Sequence, residues 1–174
     1  MSEQIKIAID AMGGENAPLK NLEGIDLFLK KNKNISDVIF QVYGNKNTIE
    51  EILKKKGISS NKIQVYNCSS VISDEETPLT AIKNSKDSSM WNSVNAQIVN
   101  KANISLSAGN TGVLFVISKM ILKMMKDVNR PALAGLWPNK KGMSVVLDLG
   151  ANIECNEKNL IDFSVMGSAL HKSL

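Results

Sequence analysis

Residues 107–112 read Ser-Ala-Gly-Asn-Thr-Gly, a composition typical of a turn that binds an anion. The segment follows a short, largely apolar run at 104–106 and precedes a longer one at 113–117. Small residues at such a strand-to-helix junction leave backbone N–H groups open, and the positive end of the helix dipole favours a negative ligand. The pattern predicts a site for an anionic, phosphate-bearing substrate. The alternative is a plain strand-to-helix connection with Asn110 in a left-handed turn.

Two further glycine-bearing turns follow predicted strands, at 10–15 and 148–152. In an open parallel sheet, ligands bind outside the carboxyl ends of the strands, so these turns and 107–112 are predicted to converge on one site. Asp10 and Asp148 are then expected at the same rim. A simpler interpretation stays open, because glycine pairs are common in turns and aspartates often accept local backbone hydrogen bonds.

Hydrophobic periodicity divides the chain into alternating strands and helices. We predict strands at 5–9, 38–43, 62–66, 103–106, 133–137 and 144–149. We predict helices after Pro18, at 47–56 with an Asn47–Glu50 capping box, at 79–84, around Met90–Ile98, at 112–126 and at 159–172. The alternation predicts a single α/β domain over 1–174, with a three-layer, doubly wound, mainly parallel sheet.

Composition and charge exclude several classes of function. The net charge of +4 comes from scattered Lys residues without interleaved aromatic residues, so no nucleic acid partner is predicted.

The two cysteines, Cys68 and Cys155, have neither metal-ligand nor CxxC spacing. We predict no metal and no cofactor, and we expect Cys155 to be a buried apolar residue. The apolar segment 113–125 is interrupted by charge, which predicts a buried helix rather than a membrane span. A reducing, cytoplasmic setting is expected.

Seven short blocks occur in order along nearly the whole chain. They are DAMGGE at 10–15, DEETP at 74–78, KDSSM at 86–90, SAGNTG at 107–112, RPAL at 130–133, LDLGAN at 147–152 and MGSAL at 166–170. Together they resemble the bacterial phosphate acyltransferases, the acyl-ACP:phosphate acyltransferases of phospholipid synthesis. Two positions depart from the family pattern, because Glu15 and Glu154 stand where the family usually has Asp. Family members continue beyond the last block, so the chain is expected to be the N-terminal portion of a longer fold.

The resemblance implies an enzyme that moves a fatty acyl group from acyl carrier protein to inorganic phosphate and releases acyl phosphate for phospholipid synthesis. It implies a fold similar to that of phosphate acetyltransferases and isocitrate-dehydrogenase-like enzymes. It also implies a homodimer in the cytoplasm with loose attachment to the inner face of the membrane. In the family, segments beyond the last block supply much of the active-site groove, the dimer contact and a membrane-attaching hairpin.

Candidate residues follow from this chemistry, in which phosphate is largely dianionic near neutral pH and needs no strong base. The task is to position phosphate beside the carbonyl and to stabilise an oxyanion, which backbone N–H groups and Asn, Ser or Thr side chains can do. The catalytic candidates are Ser107, Asn110 and Thr111. The substrate-binding candidates are Asp10, Gly13, Gly14, Lys86, Ser88, Ser89, Gly109, Gly112, Arg130, Asp148 and Asn152.

Within this set, Arg130 and Lys86 are predicted to neutralise charge, and Asp148 and Asn152 to orient other groups. Arg130 is the single Arg among 21 basic residues. Its planar guanidinium group can bind an anion through two hydrogen bonds. The alternative is that Arg130 is a surface residue in a loop. The KDSSM block could instead be a helix start capped by Asp87 or Ser88.

Two other functions stay open at this point. One is a short-chain phosphotransacylase that uses acyl-CoA. The other is a non-catalytic domain that binds phosphate or the carrier protein. A dehydrogenase is disfavoured, because the glycine turns lack the GxGxxG order and the acidic residue that follows it.

Overall fold

A four-stranded parallel sheet with helices on both faces forms the first of two compact units, which ends at Leu122. The computed structural model describes residues 4–35, 37–73 and 75–174. The strands are β1 (Ile5–Asp10), β2 (Val38–Gly44), β3 (Ile63–Asn67) and β4 (Ile104–Leu106), in the spatial order β3-β2-β1-β4. The helices are α1 (Leu19–Lys31), α2 (Lys46–Lys56), α3 (Pro78–Asn84), α4 (Ser89–Val99) and α5 (Thr111–Leu122), with one 3-10 turn at Ser85–Asp87.

Successive residues of the central strands point to opposite faces of the sheet, and each face carries its own core. On one face, Ile9 and Val42 pack with Leu22 of α1. On the other, Ala8 and Tyr43 pack with the α4 side. All seven residues of β2 are buried, as expected for a parallel strand covered on both faces. The predicted three-layer α/β fold with a parallel sheet is confirmed in this unit.

Helix ends depart from the sequence prediction at two places. The N-cap of α2 is Asn45, whose Oδ1 accepts the Thr48 N–H at 3.0 Å, so the predicted Asn47–Glu50 capping box is wrong. Helix α5 ends at Leu122 rather than at residue 126, because Lys123 adopts a left-handed φ of 61° that the helix cannot continue. At the end of α2, Gly57 has the left-handed conformation of a helix terminator.

The second compact unit spans Lys123–Leu174 and consists of a hairpin and a helix. Strands β5 (Gly135–Asn139) and β6 (Gly142–Val146) pair antiparallel, and α6 covers Glu157–Ser173. The prediction that these strands extend the parallel sheet is wrong. Only two residues link them, and a parallel crossover needs a dozen or more.

Helix α6 packs on β6, and Phe163 of this helix is buried. Leu160 is 57% exposed, although the helical spacing predicts it on the same buried side. Asn156 caps this helix in a reciprocal capping box with Asn159. Among the described residues, no helix is both long enough and apolar enough to cross a membrane.

Candidate functional site

The turns after β1 and β4 meet at the topological switch point of the first unit. The chain proceeds from β1 outward to β2 and β3, then returns to place β4 on the other side of β1. The connections that leave β1 and β4 therefore diverge in opposite directions, which opens a crevice at the carboxyl ends of these two strands. The turns 10–15 and 107–112 both border that crevice.

Gly13 and Gly109 bring the two turns into direct backbone contact. A Cβ added to Gly13 would lie 2.8 Å from the Gly109 N and 2.6 Å from Asp10 Oδ2. A Cβ added to Gly109 would lie 3.3 Å from Gly13 Cα and 3.0 Å from Met90 Cε, near the start of α4. The Gly13 position has no room for a side chain, so this glycine is explained by close approach rather than by turn geometry alone. At Gly109 a side chain would require Met90 and Gly13 to move by a few tenths of an ångström.

A short hydrogen-bonded chain runs from Asp10 through Ser107 to Gly109. Asp10 is 2% exposed, and its Oδ2 accepts the Ser107 hydroxyl at 2.7 Å while Oδ1 accepts the Met12 N–H at 3.2 Å. Ser107 Oγ in turn accepts the Gly109 N–H at 3.2 Å. The Ser107 proton is thus committed to the carboxylate, and this serine braces the two turns.

Asn110 immediately precedes helix α5 and connects it to the segment before α3. Its Oδ1 accepts the Val113 N–H at 3.1 Å, which is an N-cap contact, and its Nδ2 donates to the Glu76 carbonyl at 3.0 Å. Thr111 and Gly112 follow in the exposed first turn of α5. The N–H groups of such a turn have no intrahelical partner, which makes this end of the helix suitable for an anion.

The KDSSM block lies at the start of α4, where Ser88 is the N-cap. Ser88 Oγ accepts the Trp91 N–H at 3.1 Å, which confirms the capping interpretation. Ser88 and Ser89 are both 1% exposed, and Ser89 Oγ has no hydrogen-bond partner among the described residues. Lys86 is exposed in the 3-10 turn. Because Met90 contacts Gly109, this block adjoins the 107–112 turn. Both serines of the block are buried, while Lys86 is exposed to solvent.

Asn21 of α1 belongs to the same arrangement and was not predicted. Its Nδ2 lies within hydrogen-bond distance of the carbonyl oxygens of Ala11 (2.9 Å), Gly13 (3.0 Å) and Asp10 (3.4 Å). One side-chain amide thus holds the whole turn after β1. The sequence offered only a weak signal, a polar residue in the first turn of the amphipathic helix that follows the Gly13–Gly14 turn.

Asp148 and Asn152 organise the second unit. Asp148 Oδ1 accepts the Leu133 N–H at 2.7 Å, and Oδ2 accepts the Asn152 N–H at 2.7 Å. Asn152 Nδ2 also donates to the Pro131 carbonyl at 2.9 Å. Burial opposes ionisation of Asp148, but the Leu133 and Asn152 donors outweigh it and lower the pKa of this carboxyl. The blocks 130–133 and 147–152 are thereby joined.

Arg130 sits in the same unit and is exposed. Its Nη1 donates to the Glu154 carbonyl at 2.7 Å.

A cavity of about 750 Å³ lies between β6 and α6. Its lining includes Asp148, Asn152, Cys155 and His171. The prediction of a shared rim assumed that the 148–152 turn follows a strand of the parallel sheet. The turn instead follows the antiparallel strand β6, so Asp148 does not lie at the carboxyl end of a parallel strand.

The two cysteines differ in environment. Cys68 is buried beyond the end of β3, and burial, followed by the charge of Asp10, raises the pKa of its thiol to about 11. Cys155 is exposed, so the prediction that it is buried is wrong; it lies in the loop that precedes α6. Within residues 4–35, 37–73 and 75–174, no group of three His, Cys, Asp or Glu side chains could hold a metal ion.

Known proteins with similar sequences carry a consistent name. Phosphate acyltransferase from Pelagibacter ubique is 48% identical over all 174 residues of the chain, which cover 51% of that protein. Phosphate acyltransferase from Caulobacter vibrioides is 39% identical over the same 174 residues and 48% of its own length. Phosphate acyltransferase from Alkaliphilus oremlandii is 40% identical over 94% of the chain and 48% of its own length.

The chain therefore spans about half the length of these curated relatives. The family model described as fatty acid synthesis protein matches residues 5–174, almost the whole chain. The glycine turns, their order and the sheet that joins them all fall within this match. The chain belongs to the fatty acid synthesis protein family.

Proposed function

We propose that the protein is a phosphate acyltransferase that transfers a fatty acyl group from acyl carrier protein to inorganic phosphate. The product is acyl phosphate for phospholipid synthesis. The observation that carries this proposal is the contact between the Gly13 and Gly109 turns at the switch point of the sheet. The relatives named phosphate acyltransferase support the same reaction class.

The reaction needs a positioned anion more than an activated side chain. An oxygen of the hydrogen phosphate dianion attacks the thioester carbonyl carbon and forms a tetrahedral oxyanion. The carbon–sulfur bond then breaks, and the proton that phosphate gives up neutralises the departing thiolate. Phosphate supplies the nucleophile itself, so the protein's contribution is orientation and stabilisation of negative charge.

The first turn of α5 is suited to both tasks. We assign the backbone N–H groups of Thr111 and Gly112 and the Thr111 hydroxyl to phosphate or the oxyanion, since all lie at the positive end of the helix. Asn110 fixes this turn through its contacts to Val113 and Glu76. Removal of one donor to an oxyanion typically costs about 10²–10³ in rate.

The remaining candidates have supporting roles in the proposal. The two turns are held in contact by Asp10, Ser107, Gly13 and Gly109. Gly14 has a φ of 93° and lies close to the Ala108 backbone. Ser88 and Ser89 fix the start of α4 against this contact. Lys86 and Arg130 are assigned to charge neutralisation, and Asp148 and Asn152 to orientation of neighbouring groups within the second unit.

The proposal extends to partners and location. Acyl carrier protein is the acyl donor, the protein works as a homodimer, and it acts in the cytoplasm with peripheral attachment to the membrane. These statements rest on the resemblance of the seven sequence blocks. They do not depend on the geometry of the crevice.

Trapping of acyl phosphate tests the proposed reaction. Purified protein is incubated with palmitoyl carrier protein or palmitoyl-CoA, with and without phosphate, and the product is converted to the hydroxamate by hydroxylamine. We expect phosphate-dependent hydroxamate, formed faster from the carrier-protein thioester. Faster reaction with a short-chain acyl-CoA would favour a short-chain phosphotransacylase. Phosphate binding without product from any donor would indicate a non-catalytic domain.

A further inference from the structure

An apolar cavity of about 430 Å³ lies on the α1 face of the sheet, directly beside the two glycine turns. Its apolar lining comes from β1, β2, β4 and α1, namely Ile7, Ile9, Ile25, Phe28, Phe40 and Leu106. Asp10, Asn21 and Ser107, which brace the turns, line it as well. A concave, mainly apolar site with a few polar groups is the usual form of a small-molecule pocket.

The polar and apolar linings are separated along the length of the cavity. Asp10 and Ser107 stand at the carboxyl ends of β1 and β4, and Ile7 lies about 10 Å back along its strand. Helix α1 forms the facing wall, with Asn21 bonded to the turn and Phe28 about 10 Å further along the helix. The cavity therefore has a polar end at the candidate site and an apolar body that runs away from it.

Gly24 leaves the α1 wall open in the middle of this body. A Cβ added there would meet no described atom within 4 Å, so packing does not require glycine. A glycine inside a helix costs about 1 kcal/mol relative to alanine. Gly24 therefore lowers the stability of the helix, and the missing side chain makes the cavity wider.

Leu106 of β4 also lines the cavity, and 47% of its surface is exposed. An apolar ligand in the cavity would remove this surface from water, which is the main source of binding energy for such a ligand. A ligand with a polar head and an apolar tail matches both ends of the cavity.

We propose that this cavity binds the fatty acyl chain of the thioester substrate. The thioester carbonyl lies at the Ser107 end, beside the first turn of α5, and the hydrocarbon chain runs between α1 and β4. This assignment rests on the proposed function and adds where the acyl chain binds. The cavity is continuous with the candidate site, because Asp10, Asn21 and Ser107 both line the cavity and hold the two turns.

The variant Gly24→Phe tests the assignment by filling the cavity. Its side chain enters open space, and folding is verified by circular dichroism and thermal unfolding. The control is Leu27→Phe on the same helix, a residue that is 53% exposed and does not line the cavity. Acetyl, octanoyl and palmitoyl thioesters are compared at saturating phosphate.

We expect Gly24→Phe to lower kcat/KM for the palmitoyl donor by at least about tenfold, since lost apolar contacts discriminate strongly between chain lengths. The acetyl donor and the KM for phosphate should stay within about twofold of wild type, and Leu27→Phe should match wild type with every donor. An equal loss with all donors, or no loss with palmitoyl, would overturn the assignment. Equal loss is the result expected if another protein segment covers the cavity.

Binding of a fluorescent fatty acid separates this inference from the proposed reaction. If wild-type protein makes no acyl phosphate from any donor, the proposed function fails, and cis-parinaric acid still tests the cavity. Wild type and Leu27→Phe should bind it, and Gly24→Phe should bind at least about tenfold more weakly. Equal binding by all three proteins would show that the cavity does not take an acyl chain.

Discussion

The Ser107 hydroxyl donates to the Asp10 carboxylate across 2.7 Å and joins the turn after β4 to the turn after β1. The two residues are 97 positions apart in the chain, and Asp10 is buried. Because Ser107 Oγ also accepts the Gly109 N–H, one side chain fixes the position of both turns. This bond links the sheet topology to the chemistry proposed at the crevice.

Ser107→Ala is therefore expected to destabilise the protein and to lower phosphate-dependent turnover. Loss of a donor to a buried carboxylate costs about 1–3 kcal/mol in the free energy of unfolding. Urea unfolding measures the first effect and hydroxamate formation the second. Ser59→Ala, at an exposed serine outside the crevice, is the control and should change neither. Wild-type stability and turnover in Ser107→Ala would contradict the bracing role.

Asn110→Ala is expected to lower the rate of acyl phosphate formation by more than the loss of the helix N-cap alone would explain. A matched control exists in Asn45→Ala, which removes the equivalent N-cap contact of α2 to Thr48. Each variant should lose about 1 kcal/mol of stability, because each removes one N-cap. Only Asn110→Ala should reduce acyl phosphate formation, since only this residue also holds the first turn of α5 to the Glu76 carbonyl. Equal activity in the two variants would remove Asn110 from the site.

Asp148 should make the stability of the second unit dependent on pH. Its pKa is lowered in the folded protein, so its contribution is complete above the unfolded value of about 3.9 and is lost as pH falls through the folded value. Asp148→Asn should cost about 1 kcal/mol at pH 7 and nothing at the lowest pH. Urea unfolding of both proteins between pH 2 and 7 gives the difference. A difference that stays constant over that range would show that the Asp148 charge is unimportant.

Alkylation should distinguish the two cysteines. The thiolate is the reactive form, and a pKa of about 11 leaves about a thousandth of Cys68 ionised at pH 8. Iodoacetamide at pH 8 should therefore modify Cys155 first, as peptide mass spectrometry of timed samples will show. In guanidinium chloride both cysteines should react at similar rates. Faster reaction of Cys68 in the folded protein would contradict its burial.

Local patterns in the sequence predicted most of the elements in the first unit. The buried run 38–43 and the periodic stripe after Pro18 indicated β2 and α1 within one or two residues, because each element carries its own hydrophobic period. The placement of β4 beside β1 is different. It depends on a connection of more than thirty residues and has no local signal, although it brings Ser107 to Asp10.

Side-chain contacts in the site were less predictable than its turns. The glycines at 13 and 109 signalled turns, but their contact with one another appears only once the strands are ordered. Asn21 acts on backbone carbonyls rather than on another motif, so no spacing rule points to it. In the second unit, the sequence pattern indicated two strands but not how they pair. The two-residue link Lys140–Lys141 is too short for a parallel connection, so the strands form a hairpin.

A phosphate titration followed by NMR tests the central claim most directly. The claim is that the braced turns of the first unit hold phosphate at the start of α5. Backbone amide resonances are recorded as inorganic phosphate is added at constant ionic strength, for wild type, Gly13→Ala and the control Gly24→Ala. Only Gly13→Ala should separate the turns, because its Cβ would lie 2.8 Å from the Gly109 N whereas that of Gly24→Ala meets open space. We predict saturable shifts of the Gly109, Thr111 and Gly112 amides in wild type and Gly24→Ala, and their loss in Gly13→Ala. Saturable shifts confined to other residues, or none at all, would contradict the claim.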